Sequence, residues 1–291
     1  MDENQLLNAL MFGVLALVMF GLGLSLTWDD FSRLLRYPRA VVVALGLQIA
    51  ALPLLCFGLV TGLGLPAVFA MGLMLLAASP GGISANLFSH IFGGNVAMNI
   101  SLTALNTVLS VVSMPLIINW SIAYFAEAGQ IVPVQFTKLV EVVGMVLIPV
   151  ALGMLTARKA PGFAARMHRP VKVFSMLVLA AVALLAMGKE WRALAASFGE
   201  IGPAVVLFNL CSLVAGYGLS RASRLDKPIC IAVAFEIGIH NSTLAIFIAL
   251  TVLGSYQLAL PAAVYSVVMY LTAPVFGYLV RRPDGGRPQQ A

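Results

Sequence analysis

The sequence predicts an all-α polytopic membrane protein with nine transmembrane helices, and three observations predict it. Of its 291 residues 61% are hydrophobic and only 10% are charged, which leaves too little polar surface for a water-soluble globule. Between Arg39 and Glu127 there is no Asp, Glu, Lys or Arg, a stretch that fits three crossings of about 20 residues with short links. The period-2 polar alternation of a membrane barrel is missing, so helices are the spanning element.

Nine spans follow in order. Span 1 runs over about 6–28 and is followed by the amphipathic link DDFSRLLRYPR; span 2, about 40–60, carries Gln48 and Pro53. Span 3 begins near Pro66 and is interrupted by Ser79–Pro80–Gly81–Gly82 before resuming toward Phe92. Pro80 lacks a backbone donor and the two glycines permit irregular backbone, so the helix unwinds there. Span 4, about 96–124, carries Asn99, Ser101, Thr103, Asn106, Thr107 and Pro115. Spans 5 and 6 cover about 138–156 and 171–188, separated by a basic link. Span 7 covers about 203–220, span 8 about 228–253 and span 9 about 261–280. Residues 281–291 read as a polar cytoplasmic tail. A removable leader is not expected, because the N-terminus MDENQLLNAL is acidic rather than basic.

Charge patterning orients the chain. With the N-terminus outside and the C-terminus cytoplasmic, 14 of the 17 basic residues fall on the cytoplasmic side and only Lys138, Lys189 and Arg192 remain outside, as the positive-inside rule requires. The formal net charge of +6 therefore serves orientation; no basic stripe with interleaved aromatics suggests nucleic acid as a partner. Cys56, Cys211 and Cys230 lie in apolar runs at spacings that match neither a transition-metal site nor a disulfide framework. No cofactor is implied, and no feature specifies an oligomeric state.

The chemistry concentrates in FEIGIHNSTLA, Phe235 to Ala245, inside span 8. A carboxylate near the bilayer midplane costs about 2.5–3.5 kcal/mol on insertion scales, so Glu236 is expected to face a partner or a watery cavity. Spans 2–4 and 7–9 each offer an amide-bearing helix (Gln48, Asn209), an interrupted helix, and a helix with a late proline (Pro115, Pro274). Five crossings separate corresponding members, which makes an inverted repeat and points to a transporter whose binding site lies at the two interruptions. Asn86 and Asn241 are suited to capping the restarted half-helices, whose N-termini favour an anionic group. Amides, unwound carbonyls and Glu236 can hold a cation. Asn99, Thr103 and Thr107, at i, i+4 spacing, share one face; with Ser101 and Asn106 they serve either a site or helix association.

SPGGISANLFSHIFGGNVAMNISLTALNT together with FEIGIHNSTLA resembles the bile acid:sodium symporter family over nearly the whole chain. The resemblance implies a panel domain of spans 1, 5 and 6, a core domain of spans 2–4 and 7–9, and two broken helices crossing at the centre of a single membrane domain, residues 1–280. It implies nine helices where bacterial members have ten, the first being absent as in animal members. It implies sodium-coupled symport of an organic anion by alternating access in a membrane lipid bilayer, here the inner (plasma) membrane of a bacterium. Transported anions in the family include bile acids, sulfated steroids and small carboxylates such as pantoate or keto acids.

Residue by residue, the first implied sodium site maps to Ala85, Asn86, Asn99, Thr103 and Glu236. The second maps to Gln48, Glu236 and His240 with the carbonyls of Ile237 and Ile239. Asn241, Ile83, Ser84 and Asn86 are implied near the substrate. Ala85 and Asn99 stand where serine is common, and His240 where glutamine is usual. An imidazole offers no oxygen, so His240, four residues after Glu236, can instead take up a proton in place of the second sodium. A Ser242–His240–Glu236 hydrolase and a non-transporting membrane sensor are the competing readings. The first fails on helix geometry, since neighbours two apart point in different directions.

Overall fold

The computed structural model describes residues 16–125, 136–167 and 191–281, with residues 13, 170, 173 and 174. Most of expected span 6, Lys189, the loop over 126–135 and the tail beyond Arg281 lie outside the described residues, as does the start of span 1. Within them the chain is helical throughout, apart from turns and one isolated β-bridge.

Residues 16–24 are helical, and α1 (Trp28–Leu34) follows as the amphipathic link. Then come α2 (Pro38–Gly62), opened by a proline in its first turn and interrupted by a π-helical turn at Leu47–Ala51, α3 (Ala67–Ala78), α4 (Ile83–Ile91), α5 (Val96–Phe125) and α6 (Phe136–Lys159). The second half holds α7 (Trp191–Ala222), α8 (Lys227–Gly238), α9 (Ser242–Phe247), which continues as a π-helical turn over Ile248–Val252, and α10 (Tyr256–Arg281). Among the described residues four stretches are long and apolar enough to cross a membrane: Pro38–Gly62, Val96–Phe125, Phe198–Ala222 and Tyr256–Arg281.

Two expected boundaries move. The helices assigned to begin at Pro203 and Pro261 begin at Trp191 and Tyr256, with each proline inside. A proline taken as a start signal is tolerated within membrane helices, because neighbouring groups satisfy the freed carbonyl.

Helix α10 shows how the chain divides its two faces. Leu271, Val275 and Leu279 are exposed while Tyr265, Met269, Ala273 and Phe276 are buried. An apolar stripe facing outward is stable in hydrocarbon, where burial between helices brings no hydrophobic gain and close packing decides contact. Small residues supply that packing. A Cβ on Gly72 of α3 would run into the Leu258 carbonyl and Pro261 of α10, and one on Gly216 of α7 would lie 2.8 Å from the Ala234 Cα of α8. These contacts draw α3, α7, α8 and α10 around the two interruptions.

Candidate functional site

The two helix breaks complete one another. Helix α3 stops at Ala78, Ser79 turns extended (φ −72, ψ 146), and α4 restarts after Gly82 (φ −85, ψ 158). Helix α8 stops at Gly238, Ile239 leaves the helical region (φ −121, ψ 86), and α9 restarts after Asn241. Gly81 and His240 then pair as an antiparallel bridge: the Gly82 N–H donates to the Ile239 carbonyl at 2.6 Å and the Asn241 N–H to the Pro80 carbonyl at 2.8 Å. Backbone groups freed by each break are satisfied by the other, which is what irregular backbone buried in an apolar interior requires.

Side-chain amides brace both breaks. Gln48, in the π-helical turn of α2, donates Nε2–H to the carbonyls of Ala77 (3.2 Å) and Ser79 (2.8 Å). Asn209 of α7 donates Nδ2–H to the Gly238 carbonyl at 2.9 Å, and the Tyr265 hydroxyl donates to that same carbonyl at 2.8 Å. Thr272 Oγ1–H donates to Asn209 Oδ1. Gln48 precedes Ala77 by 29 residues and Asn209 precedes Gly238 by 29.

Glu236, fully buried, lies against the first break. The Thr103 hydroxyl donates to Oε2 at 2.5 Å and Asn106 Nδ2–H donates to Oε1 at 2.9 Å. The Gly81 backbone lies close against it, and a Cβ at Gly81 would collide with the carboxylate. Glycine is needed here for close approach.

On the helices that meet at the two breaks, several side-chain acceptors are left without donors. Asn99 donates Nδ2–H to the Ala232 carbonyl at 2.7 Å. In Gln48, Asn99 and Asn106 alike, the amide nitrogen faces an acceptor, which fixes the orientation of the group and assigns the remaining atom as oxygen. Gln48 Oε1, Asn99 Oδ1 and Asn106 Oδ1 have no hydrogen-bond partner, nor has Asn86 Oδ1. A buried unpaired acceptor costs about 1–3 kcal/mol, and a bound cation is one way such a cost is relieved. A hard cation takes carboxylate and carbonyl oxygens and disfavours soft donors, and this donor set fits sodium.

The remaining expected residues fall as follows. Ala85 is buried and offers no side-chain oxygen. Ile237 is buried, and the Ile239 carbonyl already accepts from Gly82. Asn241 caps α9, its Oδ1 accepting the Leu244 N–H at 3.1 Å. Asn86 does not cap: Gly82 holds the N-cap position of α4 and Asn86 lies within the helix, because the chain re-enters helix four residues earlier than a cap at Asn86 requires. Ile83 is half-buried at that start, and the Ser84 hydroxyl pairs with the Tyr270 hydroxyl at 2.5 Å.

Two expected relations change. The i, i+4 pairing of Glu236 with His240 is not made, since the helix ends at Gly238 between them. His240 Nδ1 instead lies 3.1 Å from the Ser79 carbonyl, with the ring stacked on Phe208 at 13°. That also separates the residue types of the hydrolase reading. Thr107 leaves the site, its hydroxyl bonding to the Thr103 carbonyl of its own helix, and Asn106 takes the place beside Glu236. A polar residue three positions after Thr103 was the available signal, since i, i+3 neighbours share a face as i, i+4 neighbours do. Tyr265 and Thr272 carried no sequence signal for their bracing role.

A profile of the Sodium Bile acid symporter family matches residues 12–197. The chain is 31% identical over 254 residues, 87% of its length, to the uncharacterized sodium-dependent transporter YocS of Bacillus subtilis (strain 168), covering 77% of that protein. It is 30% identical over 258 residues to a probable chloroplastic sodium/metabolite cotransporter, BASS2, of Oryza sativa subsp. japonica, matching 88% of this chain but 60% of that one. Against the corresponding BASS1 of Arabidopsis thaliana it is 29% identical over 272 residues, 92% of this chain and 66% of the relative.

Proposed function

The chain belongs to the Sodium Bile acid symporter family, and we propose that it is a secondary active transporter that moves an organic anion together with sodium by alternating access. The observation that carries this reading is the fully buried Glu236 carboxylate at the paired helix breaks, with Asn106 hydrogen-bonded to it and with unpartnered amide oxygens on Gln48, Asn86, Asn99 and Asn106 of the helices that meet there. The sodium-dependent and sodium/metabolite names of the relatives support the same coupling ion.

In this proposal sodium is a co-substrate. Asn86, Asn99, Thr103 and Glu236 hold one ion, and Gln48, Glu236 and the carbonyls of Ile237 and Ile239 contribute to a second position. The anion, a bile acid-like molecule or a small carboxylate such as pantoate or a keto acid, binds beside Ile83, Ser84, Asn86 and Asn241. Asn241 Oδ1 is occupied in capping, which leaves its two Nδ2 hydrogens as donors. No Lys or Arg stands within 79–92 or 235–245, so the anion depends on amide donors and on the field of the bound cations. That dependence is the coupling: each ion makes the other's binding more favourable, and the reciprocity is thermodynamically required. The inverted repeat, the core and panel division and the outside N-terminus belong to this reading. Gln48 and Asn209 each bracing the end of the half-helix in the next broken span, 29 or 31 residues on for Gln48 and 29 for Asn209, supports the repeat.

A proton on His240 in place of sodium has less support, because no carboxylate accompanies the ring and a carbonyl oxygen already occupies Nδ1. Purified protein in proteoliposomes tests the proposal. An inward sodium gradient is expected to drive accumulation of a labelled small carboxylate, and a potassium gradient is not. Equal uptake with both would leave a sodium-independent carrier, and no uptake of any anion that binds would leave a sensor.

A further inference from the structure

The geometry points to Asn106 as a sodium ligand in its own right, supplying an oxygen from α5 beside the Glu236 carboxylate; this rests on the sodium-coupled reading above. Asn106 is 2% exposed, and its Nδ2–H is spent on Glu236 Oε1. Turning the amide over would set Oδ1 against a carboxylate oxygen, so the orientation is fixed. With amide N and O about 2.3 Å apart, Oδ1 lies within roughly 5 Å of Glu236 Oε1. It has no hydrogen-bond partner there. Two oxygens that both seek positive charge, buried together, are relieved at once by one cation, whereas a single donor relieves only one of them.

His240, at the second break, supplies no side-chain oxygen. Its Nδ1 faces the Ser79 carbonyl at 3.1 Å, so in the neutral ring Nδ1 carries the hydrogen and Nε2 keeps a bare lone pair. Nε2 is buried without a partner, and an imidazole nitrogen serves sodium less well than an amide oxygen does. Gln48 reaches the same Ser79 carbonyl and leaves its own Oε1 unpartnered. Asn106 is therefore the further amide oxygen available on the carboxylate at this crossing. Nor does it duplicate Asn99, which lies seven residues, about 10 Å, back along α5. Thr103 holds one carboxylate oxygen and Asn106 the other.

Thermal unfolding of the purified full chain, titrated with sodium chloride against choline chloride at constant ionic strength, tests this without transport. Wild-type protein is expected to gain stability with sodium. Asn106→Leu, similar in volume, is expected to raise the half-saturating sodium concentration by about tenfold or more. A merely structural role would leave half-saturation within about twofold of wild type, and a role only through the Nδ2–H bond to Glu236 would raise it as much in Asn106→Asp, which keeps the oxygen but loses that donor, as in Asn106→Leu; either result overturns the inference. Should Asn106→Leu not fold, Asn106→Asp carries the test: it keeps the oxygen, and sodium is expected to restore its stability better than potassium. Equal restoration by the two ions overturns the inference. Wild type that gains nothing from sodium would instead overturn the sodium-coupled reading, and the assignment of Asn106 with it.

Discussion

Glu236 concentrates the energetics of the site into one side chain. Its carboxylate is fully buried and met by hydrogen-bond donors rather than by a basic residue, so in the proposed transporter a sodium ion would supply the balancing charge. Glu236→Gln removes that charge while keeping the volume. The expected outcome is a folded protein whose thermal midpoint no longer rises with sodium, read in the same sodium-against-choline titration; a sodium response equal to wild type would remove Glu236 from the ion site. Gly81 is its steric counterpart, since a Cβ there meets the carboxylate. Gly81→Ala is expected to destabilise the protein by about 1–3 kcal/mol, the usual range for overpacking a close contact, measured as a drop in the unfolding midpoint without sodium.

At the scale of elements, the breaks are held open by long-range bracing rather than by local preference alone. The Pro–Gly–Gly run predicts the first break from the sequence. The second has only Gly238 and a polar cluster to announce it, and its geometry is set by Asn209 and Tyr265 meeting the Gly238 carbonyl. Tyr265→Phe deletes the bond to that carbonyl and the one its hydroxyl accepts from Asn209 Nδ2–H and leaves the ring, so a loss of about 1–3 kcal/mol is expected, with hydrogen exchange at 238–241 faster than in wild type. Asn241→Ala removes the cap of α9 and is expected to cost about 0.5–2 kcal/mol, seen as the same local exchange increase together with weaker anion binding. Asn86 shows where sequence logic slipped. An asparagine after a break resembles a cap, but Gly82 already occupies that position, so the amide is free for another role.

For the whole molecule, the distribution of basic residues carries the prediction of orientation. The turn between α7 and α8, with Arg221, Arg224 and Lys227, is expected on the cytoplasmic side. A cysteine introduced at Ser223 in a background lacking Cys56, Cys211 and Cys230 tests it. Labelling by a membrane-impermeant maleimide is expected only after the membrane is opened, and labelling of intact cells would reverse the assigned topology.

The sequence by itself determined what depends on local chemistry and on the solvent. Apolar runs select a membrane, Pro80 with Gly81 and Gly82 selects a break, and a lone acid in span 8 marks a site, because each is costly unless its environment answers it. What only the tertiary structure decided is which groups answer. Asn106 rather than Thr107 meets Glu236 across 130 residues of chain, and His240 turns to Ser79 across 161. The two breaks also pair backbone to backbone. These choices turn on differences of one helical turn in how distant segments pack, and no local propensity encodes that placement.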